Sequence, residues 1–276
     1  MTRRLLVAVT GLAIVTMATP ALAHHLWLNA TRYSLEASGD EYRGKTTISF
    51  GWGDFFPLHD FLKEDQVQRL ALRAPGGVVR ELKPGDGGFL ATPVELGAKG
   101  AYMVSAALKP IFVASIMEDG KQKVVRKAKD ELAPGTKVVL SQYSAQFAKA
   151  LVTVGDVNAA DPTIAAPIGH DLEIVPLANP AQLREGDHFR FRVLFKGAPL
   201  GRPNGNPEVK ATYLGYSSAG DWVVSTGLDA EGIGRVRLSR YGVWQIFVSH
   251  TIEPPADLAG KADKVGYRAS FTFEVR

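Results

Sequence analysis

The chain contains no cysteine among its 276 residues. Disulfides, thiolate metal ligands and an N-terminal lipid-modified cysteine are therefore all excluded. Methionine is scarce, with four in total, two of which (Met1 and Met17) lie in the first 17 residues, so there is little thioether for Cu(I). Charge of one sign is not concentrated: 32 Lys and Arg face 28 Asp and Glu. The densest basic stretch, Lys121–Lys129, has no interleaved aromatics, which argues against nucleic acid as a partner. Long apolar runs are missing beyond the N-terminus, and the mean hydropathy is −0.01. Familiar catalytic signatures are missing too. There is no phosphate loop and no His-Glu-x-x-His helix, and Gly215–Gly220 misses the Gly-x-Ser-x-Gly elbow by one residue. The composition, 46% hydrophobic and 22% charged, is that of an ordinary globular protein large enough to fold without disulfides.

Met1–Ala23 reads as a cleavable secretory signal. Arg3 and Arg4 form the charged start, Leu5–Met17 a short apolar segment, and Ala21-Leu22-Ala23 a small-x-small cleavage pattern. The apolar segment is too short to span a bilayer and Pro20 ends it, so no stable membrane insertion is expected after cleavage, and the expected location is the periplasm. Cleavage removes two of the 32 basic residues and none of the 28 acidic ones, so the net charge falls from +4 to +2.

After the signal the chain reads as all-β. Apolar and polar residues alternate in Lys45–Phe50, Val67–Leu72, Phe189–Phe195 and Tyr267–Val275, with glycine turns between strands. Ser270 and Thr272 would face water in the last of these. Val78–Leu82 and Phe89–Leu96 flank the turn-rich Lys83–Gly88 and predict a hairpin. Lys121–Leu132 predicts an exposed helix or a charged loop, and Ser144–Leu151 fits either a helical turn or a strand. Residues 156–169 are rich in small residues, Asp and Pro, which is a linker signature. The expected organisation is a signal at 1–23, an N-terminal β-rich domain at 24–155 carrying the candidate site, a linker at 156–169 and a C-terminal sandwich at 170–276. The fold class is two β-sandwich domains, the second immunoglobulin- or transthyretin-like.

The six histidines are the full stock of imidazole ligands. His24 would be the first residue after cleavage, where its α-amine and Nδ1 can close a six-membered ring on a metal. A second imidazole would complete a nitrogen-rich site suited to Cu(II) or Ni(II). A free amine titrates near 8 and an imidazole near 6.5, so such a site would work near neutral pH and fail on acidification. His25 would point to the opposite face of a strand from His24, so only a bent end would let both bind one ion. The loop Gly51–Asp60 carries Asp54, His59 and Asp60. It is either a ligand loop, if His59 folds back to His24, or an aromatic-anchored turn. His170 follows the linker and is a solvated turn residue or part of a site between domains. His250 is a core residue or a ligand, and His188 reads as surface.

Several stretches carry a resemblance to a known family. They are His24-x-x-Trp27-Leu28, the glycine-rich turn Gly51–His59, Gly169-His170-Asp171-Leu172-Glu173-Ile174-Val175-Pro176, Asn179-Pro180, Gly186-Asp187 and Gly242-x-Trp244. The chain resembles bacterial periplasmic proteins grouped as a domain of unknown function and described as periplasmic components of nickel or cobalt uptake systems. The resemblance implies a β-rich, metal-handling accessory protein rather than an enzyme. It also implies nickel or cobalt as the ion, beside the copper that the His24 donor set would accept, and an inner- or outer-membrane metal transporter as partner. Two other readings stand beside it: a copper oxidase using an N-terminal histidine brace, and an interaction module that binds no metal.

Overall fold

The structure is a computed structural model that describes residues 24–37, 44–158, 161–201 and 207–276; the signal segment and residues 159–160 of the linker lie outside these. In chain order the strands are β1 (His25–Ala30), β2 (Ser34–Leu35), β3 (Lys45–Gly53), β4 (Val67–Arg73), β5 (Val79–Glu81), β6 (Thr92–Glu95), β7 (Gly100–Leu108), β8 (Ile111–Glu118), β9 (Lys121–Val125) and β10 (Lys137–Val154). There follow β11 (Leu172–Pro176), β12 (His188–Phe195), β13 (Ala198–Pro199), β14 (Glu208–Tyr213), β15 (Val224–Thr226), β16 (Ile233–Arg237), β17 (Gly242–Ile252) and β18 (Lys264–Val275). The chain is all-β, as its alternation predicts.

The strands form three sheets. One has three strands in the order β1-β3-β6. One has four: β11, β12, β13 and β16. The third has 11 strands along the path β15-β14-β17-β18-β10-β7-β4-β5, with β2, β8 and β9 attached. The large sheet is shared between two sandwiches because β10, β18 and β7 bury both faces. On β10, Ala145 and Leu151 join the core that includes Phe189, Phe191 and Val193 of the four-stranded sheet. Ala148, Ala150 and Val152 join the core that includes Leu26, Leu28 and Phe50 of the three-stranded sheet. Side chains along a strand alternate in direction, so these two sets occupy opposite faces of one strand. The large sheet draws strands from both sides of residues 156–169.

β10 and β18 pair in parallel from Gln142↔Lys264 to Ala150↔Thr272. Below this sheet, toward the four-stranded one, Lys149 of β10 donates to Glu173 of β11 at 2.8 Å, and both side chains are almost fully buried. The same carboxylate accepts the backbone N–H groups of Ile168 and Gly169 at 2.7 and 2.9 Å. Burial pushes Glu173 upward, but the Lys149 ammonium and these two N–H groups outweigh it and hold the carboxyl below its ordinary range.

Several elements differ from the sequence expectation. Ser270 and Thr272 do not face water; they are 2% and 0% exposed. Their side of β18 is covered by β1, and each hydroxyl donates to a β1 carbonyl at 2.6 Å: Ser270 to Leu26 and Thr272 to Leu28. Alternation marks a second, more polar face but cannot tell whether another sheet covers it. Lys121–Val125 is a strand rather than a helix. Asp119 and Gly120 both have positive φ, at 50° and 75°, which is the turn geometry that closes a two-residue hairpin. Cross-strand pairs Gln122–Ser115 and Lys123–Glu118, both 2.7 Å, then hold β9 to β8. Ser144–Leu151 is strand throughout. The Val78–Leu82 and Phe89–Leu96 segments do not pair with each other: β5 pairs with β4 and β6 with β3.

The β1 carbonyls facing β18 have no strand beside them, so removing a hydroxyl leaves a buried acceptor bare. Thr272→Val keeps the shape and is expected to lower unfolding free energy by about 1–3 kcal/mol. Urea denaturation at constant m-value is the check, and an unchanged midpoint would refute this role for Thr272.

Candidate functional site

β3 ends, just before the loop to β4, with two glycines whose positions only glycine fills. A Cβ on Gly51 would collide with the indole nitrogen of Trp27, and one on Gly53 (φ 128°) with the His59 ring. The close approach at Gly51 lets Trp27 donate to the Pro57 carbonyl at 2.9 Å, and Asn29 adds a second bond to the same oxygen at 3.0 Å. The Trp52–Asp60 bridge closes the base of the loop, with Asp60 N–H donating to the Trp52 carbonyl at 2.9 Å. The loop is thereby folded back over the start of β1.

This places three possible ligands together. His24, Asp54 and His59 each offer a donor atom, and these atoms lie within 4.8 Å of one another. His24 Nε2 is 3.4 Å from an Asp54 carboxylate oxygen, and the His24 and His59 rings are 5.6 Å apart. Trp52 meets the His24 ring edge-on at 5.8 Å, and Phe55 packs on His59 at 4.1 Å. The His24 carbonyl accepts from the Gln146 side chain of β10 at 3.1 Å, which ties the head of β1 to the large sheet. All three groups are accessible to solvent, since His24 and Asp54 are half-buried and His59 is exposed.

Two imidazoles and a carboxylate suit a divalent transition metal of intermediate softness. One feature sets a cost. His59 Nδ1 accepts the Asp54 backbone N–H at 2.9 Å, so in the neutral ring the proton sits on Nε2. Ligation through either nitrogen means giving up that hydrogen bond, a cost of about 1 kcal/mol. A metal–imidazole bond offsets this readily.

The other histidines named from the sequence lie elsewhere. His25 points to the opposite face from His24, as strand geometry predicts. It is buried, with Trp27, Phe247 and Trp222 at 4.8, 4.6 and 5.4 Å from its ring. The Gln245 amide lies 3.3 Å from its Nε2, where the NH₂ donates and the ring nitrogen accepts. Burial, helped by the nearby Arg268 charge, pulls His25 down to about 3. His170 stacks on Phe147 at 4.9 Å, and burial lowers it to about 4. His250 is buried edge-on to Phe195 at 4.8 Å, and burial lowers it as well. Neither His170 nor His250 joins the cluster. His188 is exposed, as expected. Of the three donors that the Gly51–Asp60 loop offers, Asp54 and His59 join the cluster with His24 and Asp60 does not. The place of Asp54 in a glycine-flanked loop beside His59 was the available signal.

A second feature adjoins the cluster through Asp54. A cavity of about 370 Å³ opens between β14, β17, β18 and the loop, with Asp54, Arg268, Lys210, Glu208, Trp222 and His25 among its walls. Burial lowers Arg268, against the favourable field of Asp54.

Because His25 is neutral in the fold down to about pH 3, the unfolded chain binds more protons between there and pH 6.5. Stability therefore rises with pH across that window and is lost as pH falls through it. From pH 6.5 to 5 this residue alone is expected to cost about 2 kcal/mol. Urea unfolding at the two pH values checks it: His25→Gln should reduce the difference by about 2 kcal/mol, the remainder belonging to His170 and His250, which burial also lowers, and an unaltered difference would exclude His25 as a source.

The family model for a domain of unknown function, DUF4198, matches residues 21–252. No curated protein sequence matches the chain. Among solved structures, the D0-D1 domain of intimin aligns at 13% identity over 90% of this chain and 96% of its own, with a TM-score of 0.21. A Salmonella alpha-2-macroglobulin reacted with methylamine aligns at 13% identity over 91% of this chain, with a TM-score of 0.23; the match spans 14% of that larger protein. Fibronectin(III)-like modules of Clostridium thermocellum CbhA align at 12% identity over 88% and 94%, with a TM-score of 0.18. At scores this low the superpositions decide nothing. On the strength of the family match, which covers most of its length, this chain belongs to the DUF4198 family.

Proposed function

We propose that the protein is a periplasmic metal-binding accessory of a nickel or cobalt transport system, with copper as the competing ion, and that it works by binding rather than catalysis. The observation that carries this reading is the convergence of His24, Asp54 and His59. These residues come from the head of β1 and from a loop about 30 residues later, and fixed glycines and a bifurcated Pro57 carbonyl hold them together. The donors are all nitrogen and oxygen, which fits Ni(II), Co(II) and Cu(II). Solvent access on one side suits an ion that must be received and passed on to a membrane transporter. Among the described residues no helix is long and apolar enough to cross a membrane.

Cleavage after Ala23 would add the His24 α-amine, and two ligation modes follow. In one, the amine and Nδ1 chelate the metal while Nε2 stays with Asp54, whose carboxylate orients the ring. In the other, Nε2, Asp54 and His59 bind directly. Calorimetric titration with nickel separates them. The protein beginning at His24 should bind one ion, and His59→Ala should weaken it about 10–100-fold. One extra residue before His24 should abolish binding in the amine mode and leave it intact in the other. Gly53→Ala, which displaces the His59 ring without touching a ligand, should weaken binding at least about ten-fold. If the protein beginning at His24 binds no nickel, cobalt or copper, the proposal fails.

A further inference from the structure

β17 pairs with β14 so that Gln245 stands directly opposite Thr212. Cross-strand partners carry their side chains side by side on one face of the sheet. Trp244 and Ile246, the neighbours of Gln245 on β17, point the other way into the large core. Gln245 and Thr212 are both buried, yet their polar atoms are unevenly used. The Gln245 NH₂ serves His25, as described above, while its carbonyl oxygen Oε1 finds no hydrogen-bond partner among the described residues. Turning the amide over would put the NH₂ in the same unserved place. The Thr212 hydroxyl is 3.5 Å from the Asp221 carbonyl, at the outer edge of hydrogen bonding. A buried acceptor left in this state is costly and calls for a partner.

Both residues line a small cavity of about 10 Å³, and Asp54 lines it with them. Phe56 and Trp222 give it apolar walls. Gly220 seals it against the loop that follows β3, since a Cβ there would strike the Phe55 ring and the Asp54 carbonyl. Ser217 also borders the space, but its hydroxyl is fully used. It donates to the Asp221 carboxylate at 2.7 Å and accepts the N–H groups of Ala219 and Asp221 at 3.0 and 3.3 Å. The volume suits one water and no organic ligand. A hard cation such as Ca²⁺ takes about six to eight oxygens, more than the remaining side chains offer.

We infer that this cavity binds a single internal water, which donates one proton to Gln245 Oε1 and the other to the Asp54 carboxylate, and accepts from the Thr212 hydroxyl. Three polar partners are what a buried water ordinarily has. The bare Gln245 oxygen is thereby served, and the Thr212 proton gains a well-placed acceptor. Asp54 is then held from two sides, by His24 at 3.4 Å and by the water. The water fixes how the carboxylate faces His24 and His59, and it ties their loop to β14 and β17. Gln245 and Thr212 are thus positioning residues for Asp54. That consequence rests on the reading of Asp54 as a metal ligand, whereas the water itself does not.

The test is a crystal structure of the metal-free protein beginning at His24, with nickel calorimetry on it and on Thr212→Val and Thr212→Ser. The wild type should show one water about 2.7–3.0 Å from Gln245 Oε1, from the Asp54 carboxylate and from Thr212 Oγ1. Thr212→Val keeps the shape of the side chain but removes the proton donor; it should lose the water and weaken nickel about ten-fold. Thr212→Ser restores the hydroxyl and should bind nickel like wild type, which a mere packing role for Thr212 would not produce. A dry cavity in the wild type overturns the proposal, as does density with oxygen neighbours at about 2.3–2.6 Å, which marks a cation. Unchanged nickel affinity in Thr212→Val overturns the positioning role. If the wild type binds no nickel, the metal reading of Asp54 falls and takes that role with it, while the water stands or falls on the density alone.

Discussion

The site depends on one set of buried hydrogen bonds, those from the large sheet to the open edge of β1. β1 is an edge strand of a three-stranded sheet, and its outward carbonyls would otherwise be stranded in an apolar interior. Ser270 and Thr272 of β18 cover Leu26 and Leu28, and Gln146 of β10 covers His24. An uncovered carbonyl in such a place costs as much as a lost hydrogen bond, so these side chains fix both the register and the angle at which β1 crosses β18. His24 is the residue at which this edge begins. Its position is set by β10 and β18, which are remote from it in sequence and parallel to each other. The loop that brings Asp54 and His59 to it is then secured to β1 itself, through Trp27 and Asn29 on Pro57.

This arrangement also explains why polar residues recur on a buried face. Lys149 and Glu173 on one side of the large sheet, and Ser270, Thr272 and Gln245 on the other, are nearly or fully buried. A sheet covered on both sides would normally read as a continuous apolar run. Here the polar positions are used where a small sheet meets the large one edge-on, or where the segment before β11 presents backbone N–H groups to Glu173. The Lys149–Glu173 pair is a poor source of stability by itself, since desolvation of two charges consumes most of their attraction. Its contribution is to specify how the segment that follows the linker seats against β10.

Strand-by-strand alternation made the all-β class legible, and even the opposed directions of His24 and His25 followed from it. What the sequence could not convey was which faces are covered. Arg268, Ser270, Thr272 and Glu274 have the pattern of a solvated face, and nothing local distinguishes that from a face buried under β1. The Lys121–Val125 strand was hidden by composition, because an edge strand rich in lysine looks like a solvated helix; the Asp119-Gly120 turn before it was the overlooked clue. At the site, the histidines were visible as donors, but the joining of His24 with His59 and the separation of His170 and His250 from them were not. His170 and His250 each end against an aromatic ring in the four-stranded half, a long-range outcome with no signature in spacing. Asp54 entered the cluster because Gly51 and Gly53 bend the loop so tightly.

The neutral His25 and the cationic Arg268 sharpen the contrast between the two faces of β1's first residues. His24 stands in a half-exposed cluster with a carboxylate at 3.4 Å, which favours a positive charge on the ring. One residue later His25 sits among aromatic rings with its lone pair committed to Gln245, where a positive charge is excluded. Adjacent imidazoles on a strand are thus given opposite electrostatic roles by the period of two and by what lies on either side.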